Sequence, residues 1–170
     1  NLLDNLLEWA RMQTGSIDFQ ITEFNLDESI QNTIHILEPN LVKKNIKLNC
    51  NVDENLNITA DQNMINTVVR NILSNAIKFT RKDGEISIEA HRIDDNLKIS
   101  VTDNGIGMTE EAQKNLFNEA TSKSTQGTNA ETGSGLGLLI CKEFIQRHNG
   151  KILVHSEPNV GSTFNIELSQ

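Results

Sequence analysis

The sequence has no long apolar run, little cysteine and no excess of basic charge, and each absence removes a class of function. None of its 170 residues belongs to a stretch approaching the about 18 apolar residues that suit a transmembrane helix. The first residues mix Asp4, Glu8 and Arg11 with leucines, which is not a signal-peptide pattern. Lysine and arginine number 15 against 23 aspartates and glutamates, a formal net charge of −8. A nucleic-acid-binding domain normally shows a basic stripe, so no nucleic acid is expected as a partner. The two cysteines, Cys50 and Cys141, lie in apolar patterns without metal-ligand spacing and imply a reduced, cytoplasmic setting. Familiar phosphate loops are missing too. Gly150-Lys151 is followed by Ile152, so no GxxxxGK[ST] occurs, and no strand leads into a GxGxxG turn and helix. P-loop NTPases and Rossmann dinucleotide binders are therefore excluded.

What is present is one ordinary domain. A chain of 170 residues with 36% hydrophobic content can bury a core without disulfides or metals. It opens on Asn1 rather than Met, which leads us to expect a piece of something longer. Leu2, Leu3, Leu6, Leu7 and Ala10 recur at helical spacing, so residues 1–15 read as the end of an amphipathic helix. Residues 16–26 read as a short extended link, and the rest as a single unit over 27–170.

Within that unit, Asp27 opens a predicted helix to Lys44, with Pro39 expected to bend or split it. Ile46, Leu48, Cys50 and Val52 alternate as in a half-buried strand. Asp61 caps a helix over 62–79 with a dense apolar stripe. Strands around Ile88 and Ile99 are joined by Asp94-Asp95-Asn96, and Thr109 starts a short helix ending near Phe117. Residues 118–134 lack apolar periodicity and read as a long functional loop. A helix over 135–148 and strands over 151–157 and 162–168 close the chain. The expected architecture is α/β: a two-layer sandwich whose mixed, mostly antiparallel sheet carries helices on one face.

Chemistry concentrates where glycine does. Six of the ten glycines fall between Gly105 and Gly137, where even spreading gives about two. Asp103-Asn104-Gly105-Ile106-Gly107 follows a strand. Gly133-Ser134-Gly135-Leu136-Gly137-Leu138 precedes an apolar helix, and so offers backbone N–H groups to an anion. On the helix 62–79, Asn71, Asn75 and Lys78 share one face at i, i+4 and i+7. Asparagine is about 0.5–0.7 kcal/mol worse than alanine inside a helix, so helix stability does not explain the pair. An amide oxygen suits Mg²⁺, and lysine suits phosphate.

Together these segments resemble the sensor histidine kinases. Asn71-Ile72-Leu73-Ser74-Asn75-Ala76-Ile77-Lys78-Phe79 is similar to their N box, and Asp103-x-Gly105-x-Gly107 to their first glycine box. Phe117 stands where their F box begins, although Asn118-Glu119-Ala120 follows it without the second aromatic. Gly133 to Leu138 resembles the second glycine box, and Gly161-Ser162-Thr163-Phe164 the last glycine–threonine motif. Order and spacing agree over residues 61–168.

The resemblance implies a Bergerat-type sandwich that binds ATP with Mg²⁺. By it, Asp103 accepts from the adenine amine, Thr163 supports the same edge, Gly107 lets the chain pass close to the base, and Gly105 belongs to the same nucleotide-binding turn. Asn75 is the implied metal ligand, and Asn71, the first N-box position, is placed with the catalytic machinery. Lys78 and Lys123 are implied to meet phosphate oxygens, with backbone amides of Gly133, Gly135, Leu136, Gly137 and Leu138. Ile106, Met108, Leu138 and Phe164 are the implied apolar contacts, and 118–134 the lid.

The implied reaction passes the γ-phosphoryl group to a histidine on a dimerisation helix. None of His35, His91, His148 and His155 has the His-Glu-Leu-Arg-Thr-Pro-like context of an acceptor, so that histidine is expected elsewhere in the parent chain. The implied partners are the parent's dimerisation helices, a second parent copy and a response-regulator receiver domain; this stretch alone is expected to stay monomeric. Two alternatives remain: an ATP hydrolase of the same superfamily, and a nucleotide-sensing module without catalysis. Related hydrolases carry glutamate at the position of Asn71, and an amide is no base at neutral pH.

Overall fold

A computed structural model describes residues 10, 18–93, 96–118, 127–129 and 135–169. The elements run β1 (Thr22–Asn25), α1 (Leu26–Lys44), β2 (Lys47–Val52), β3 (Asn57–Ala60), α2 (Gln62–Phe79), β4 (Glu85–Ile93), β5 (Asn96–Asp103), α3 (Glu110–Asn115), α4 (Gly137–Arg147), β6 (Lys151–Glu157) and β7 (Gly161–Ser169). The helix expected over 1–15 lies outside the described residues, apart from Ala10, which is helical.

Local chemistry explains most of these boundaries. The Asn25 side chain accepts from the Glu28 N–H and caps α1, with Asp27 and Glu28 in the first turn. Asn45, at φ 51°, turns the chain out of α1, and Lys43 and Lys44 sit at its negative end. Asp61 caps α2 by accepting from the Met64 N–H. The helix expected to open at Asp27 thus begins one residue earlier.

Pro39 does not split α1. It stands on the exposed side beside Glu38 and Asn40, and the carbonyl four residues back belongs to exposed His35, where water can take the missing bond. Proline still costs up to about 3 kcal/mol inside a helix. Pro39→Ala is therefore expected to stabilise the fold by about 1–2 kcal/mol, after the greater freedom of the unfolded chain is subtracted. A melting temperature at or below that of the parent would contradict this.

A five-stranded sheet runs β2-β4-β5-β7-β6, with β2 parallel to β4 and every other pair antiparallel. A separate two-stranded sheet pairs β1 with β3. β3 carries little sequence signal: its alternation is only Ile58 and Ala60, and its partners in register run from Asn25 opposite Asn57 to Thr22 opposite Ala60. Helices α1, α2 and α4 lie on one face of the large sheet, with α2 in contact with both of the others.

The register sorts side chains into rows. Cys50, Ile88, Val101, Phe164 and Val154 form one row toward the helices, and Ala90, Ile99, Ile166 and Ile152 the next. Ile72, Leu73, Val68, Ile140 and Ile145 close over these rows and are wholly buried. The opposite face is polar: Asn49, Ser87, Thr102, Thr163 and His155 line up across all five strands.

Candidate functional site

A third inward row breaks the apolar pattern. Leu48 and Ile86 lead across the sheet to Asp103, Ser162 and Ser156. Asp103 is 6% exposed. Its Oδ1 accepts the Gly105 N–H at 2.8 Å. Burial raises its pKa above the ordinary carboxylate value, while hydrogen bonds from the Gly105 and Ser162 N–H groups pull it back down. A carboxylate is expensive in such a place.

The loop after Asp103 is pinned on both sides. The Ile106 N–H donates to the Phe79 carbonyl at the end of α2 (3.1 Å), and the Ile106 carbonyl accepts from the Asn159 N–H (2.7 Å). The Met108 N–H donates to Ser156 Oγ at 2.8 Å, and Ser156 Oγ lies 2.9 Å from Ser162 Oγ. A Cβ on Gly105 would run into the Phe79 carbonyl oxygen, and one on Gly107, at φ 63°, into that of Glu157. The close approach that these glycines permit is therefore chain against chain. Asn159 holds φ 63°, the left-handed conformation that the asparagine there tolerates.

On α2, Asn71, Asn75 and Lys78 are each partly exposed, whereas Ile72, Leu73, Ala76 and Ile77 are buried. The Asn71 amide reaches the Gly137 carbonyl at 3.4 Å, which puts the start of α4 against this face. No side chain caps α4. Among the described residues, no acceptor takes the N–H groups of Gly137, Leu138 and Leu139. Three amides and the positive end of a helix dipole thus stand at the start of α4, the helix that Asn71 contacts, and such a terminus suits phosphate. Gly135, at φ 74°, turns the chain into this helix. No described residue engages the Asn75 amide, which leaves a hard oxygen for a metal. The Lys78 ammonium sits 4.8 Å from the Phe79 ring centroid.

Two expectations need correction. Thr163 points to the polar face, its Oγ1 3.0 Å from Thr102 Oγ1, and cannot reach the side of the sheet that Asp103 faces. Ser162, 8% exposed and paired with Asp103, occupies that place. Successive strand residues face opposite ways, so a one-residue offset changes the side of the sheet. The inward Phe164 already implied an inward Ser162 by period two, and that was the overlooked signal. Phe164 itself is core, packed between Val101 and Val154, and not a wall of the site. Met108, Leu116, Leu136 and Leu138 are the partly buried apolar groups nearby. Lys123 and Gly133 lie outside the described residues, as does most of the expected lid.

A cavity of about 710 Å³ opens along the polar row with Thr102, Thr163 and His155, and Asp103, Ser156 and Ser162 also contribute to its lining. Glu85, Glu110 and Glu157 line it and no lysine or arginine does, so its charge is wrong for a polyphosphate.

Comparisons with known proteins agree with this fold. Residues 60–170 match the family described as "Histidine kinase-, DNA gyrase B-, and HSP90-like ATPase". Sensor protein EvgS of Escherichia coli (strain K12) is 32% identical over 173 residues, 98% of this chain but only 14% of EvgS. The solved catalytic domain of histidine kinase ThkA is 32% identical with a TM-score of 0.77, covering 90% of this chain and 96% of that one. ThkA has also been solved in complex with response regulator protein TrrA, at 28% identity and a TM-score of 0.77, covering 98% of this chain and 48% of that one. Full-length ShkA in complex with AMPPNP is 25% identical with a TM-score of 0.82, covering 98% of this chain and 35% of that one.

Proposed function

The chain belongs to the histidine kinase-, DNA gyrase B- and HSP90-like ATPase family, as an ATP-binding catalytic domain of the sensor histidine kinase type, and from that premise we propose that it binds Mg-ATP and delivers the γ-phosphoryl group to a histidine on a dimerisation helix. The observation that carries the proposal is the meeting of the uncapped start of α4 with Asn71 on α2, a helix whose end is tied through Phe79 to the loop after the buried Asp103.

Each residue then has a task. Asp103 accepts from the adenine amine, with Ser162 beside it. The Gly137 and Leu138 N–H groups and Lys78 hold phosphate oxygens. Gly133, Gly135, Leu136 and Lys123 extend the same phosphate site in this reading. Asn75 fits Mg²⁺ through its amide oxygen; the metal supplies charge neutralisation across the phosphates. Asn71 donates to the α4 turn and cannot activate water, which favours transfer to an imidazole over hydrolysis. That position is what separates this reading from a hydrolase of the same family.

The reading places residues 1–15 at the end of a dimerisation helix in a homodimeric parent, and makes a receiver domain the final acceptor. The ThkA complex with a response regulator supports that partner. It places the domain in the cytoplasm, where ATP is available; among the described residues no helix is long and apolar enough to cross a membrane. Its charge of −8 keeps nucleic acid off the list of partners.

The test uses γ-labelled ATP and Mg²⁺. The 170-residue chain is expected to bind nucleotide without labelling itself. Mixed with, or fused to, dimerisation helices that carry an acceptor histidine, it is expected to produce acid-labile, base-stable label on those helices. Free phosphate without protein label would instead support a hydrolase.

A further inference from the structure

The end of α2 is held by groups that come from far away in sequence. Its last carbonyls have no partners within the helix. The Thr80 N–H takes Ala76, and the Ile106 N–H takes Phe79. The rest converge on one buried ammonium. Lys44, the last residue of α1, is 3% exposed. Its Nζ donates to the carbonyls of Ile77 (2.8 Å), Lys78 (2.8 Å) and Thr80 (3.2 Å). It also donates to Thr128 Oγ1 at 2.7 Å. A cation at a helix C-terminus is favoured by the dipole.

Thr128 belongs to none of the elements that form the core. It stands midway between Phe117 and Gly135, in the stretch that the sequence assigns to a lid. Its N–H donates to the Lys78 carbonyl at 3.1 Å. Its hydroxyl lies 3.1 Å from the Lys78 carbonyl and 2.9 Å from that of Thr80, and can donate its single proton to one of them. One ammonium thus ties together the end of α1, the end of the helix that bears Asn71, Asn75 and Lys78, and the middle of the stretch 118–134.

We propose that Lys44 is a positioning residue for nucleotide binding: by clasping Thr128 to the C-terminus of α2, it fixes a point of the 118–134 stretch beside Lys78 before nucleotide arrives. The proposal rests on the reading that this site holds Mg-ATP. Residues already held beside Lys78 lose less freedom when a ligand reaches that point. The clasp is on the phosphate side, at Lys78, and not at Asp103. It therefore acts on phosphate-rich nucleotides and not on recognition of the base.

The chemistry of the clasp supplies a clean variant. An ammonium has three protons, and among the described residues Lys44 faces the carbonyls of Ile77, Lys78 and Thr80 and the Thr128 hydroxyl. Thr128→Val removes one acceptor and leaves three carbonyls for three protons, so Lys44 stays satisfied and the fold is preserved. Lys44→Met removes the charge and keeps the apolar stem. Two measurements are made on each variant and the parent chain: hydrogen exchange of the amide at position 128 without nucleotide, and calorimetric affinities for Mg-ATP and AMP.

We expect Thr128→Val to weaken Mg-ATP about fivefold to tenfold, the scale of one net hydrogen bond, with AMP affinity and melting temperature unchanged. Lys44→Met is expected to speed exchange at position 128 at least about tenfold and to weaken Mg-ATP similarly. The double variant is expected to be no weaker than Lys44→Met, because both changes break one unit. Equal losses for Mg-ATP and AMP would overturn the proposal, since they mark a general loss of structure. Unchanged exchange at position 128 in Lys44→Met would also overturn it. If the parent chain binds neither nucleotide, the nucleotide reading is what fails and the positioning role falls with it. The exchange data then still report separately whether the clasp exists.

Discussion

Asp103→Asn is expected to weaken ATP binding by at least about 2 kcal/mol, roughly thirtyfold, while leaving the fold at least as stable at neutral pH. The two effects have one origin. Asp103 is buried in a row otherwise begun by Leu48 and Ile86, and receives the Gly105 and Ser162 N–H groups. Without nucleotide, the one oxygen of an asparagine can serve both of those donors, and its NH₂ can face the open site. With adenine present a third donor arrives, and an N–H₂ must then meet another donor.

The stability effect has a definite pH dependence. Burial raises the carboxyl pKa in the folded protein, so the ionised form is a burden on the fold at every pH above that value. The contribution of the group is therefore most favourable below its unfolded value, near 3.8, and is lost as pH rises through the folded value. Asp103→Asn is expected to melt at or above the temperature of the parent at pH 7, with the difference shrinking as pH falls toward 4. Thermal melts across that range, paired with nucleotide titrations, check both parts. A variant that melts well below the parent at pH 7 would mean that Asp103 is there for the fold.

Asn75→Ala is expected to lower phosphoryl transfer to an acceptor helix about a hundredfold or more. A metal acting on phosphates supplies several kcal/mol, and no described residue engages the Asn75 amide. The substitution removes a partly exposed amide that no described residue engages, and alanine is the better helix former. Stability should therefore stay level or rise, so loss of activity cannot be ascribed to unfolding. Raising the Mg²⁺ concentration should recover part of the activity, because weakened metal binding is saturable. An Asn75→Ala protein that transfers phosphoryl at the parent rate would remove Asn75 from the site.

The two glycine clusters and the N-box face were legible because their residue types are costly for any other purpose. Asparagine at positions 71 and 75 spends helix propensity on one face, and glycines at 105, 107, 135 and 137 give up side chains. The capped helix at Asp61 and the hairpin strands at Ile88 and Ile99 were equally plain, since period and capping are local properties. Helix α1 ran through Pro39 because the side on which the proline falls is a matter of packing, which no local pattern contains.

Other features could not be read from spacing. β3 is four residues long and gains its identity from pairing with β1. The side of the sheet on which Thr163 lies depends on its register against Asp103, and one residue separates the site from the opposite face. Lys44 looked like an ordinary basic residue in a last helical turn. Its burial among the carbonyls of Ile77, Lys78 and Thr80, with Thr128 as fourth acceptor, joins positions up to 84 residues apart.

The amino-acid order thus settled the chemistry available to this protein, because a carboxylate, two amides and flexible turns have few other uses in those places. The folded chain settled which groups meet. Contact between distant residues follows from sheet register and helix packing, which depend on the whole core at once.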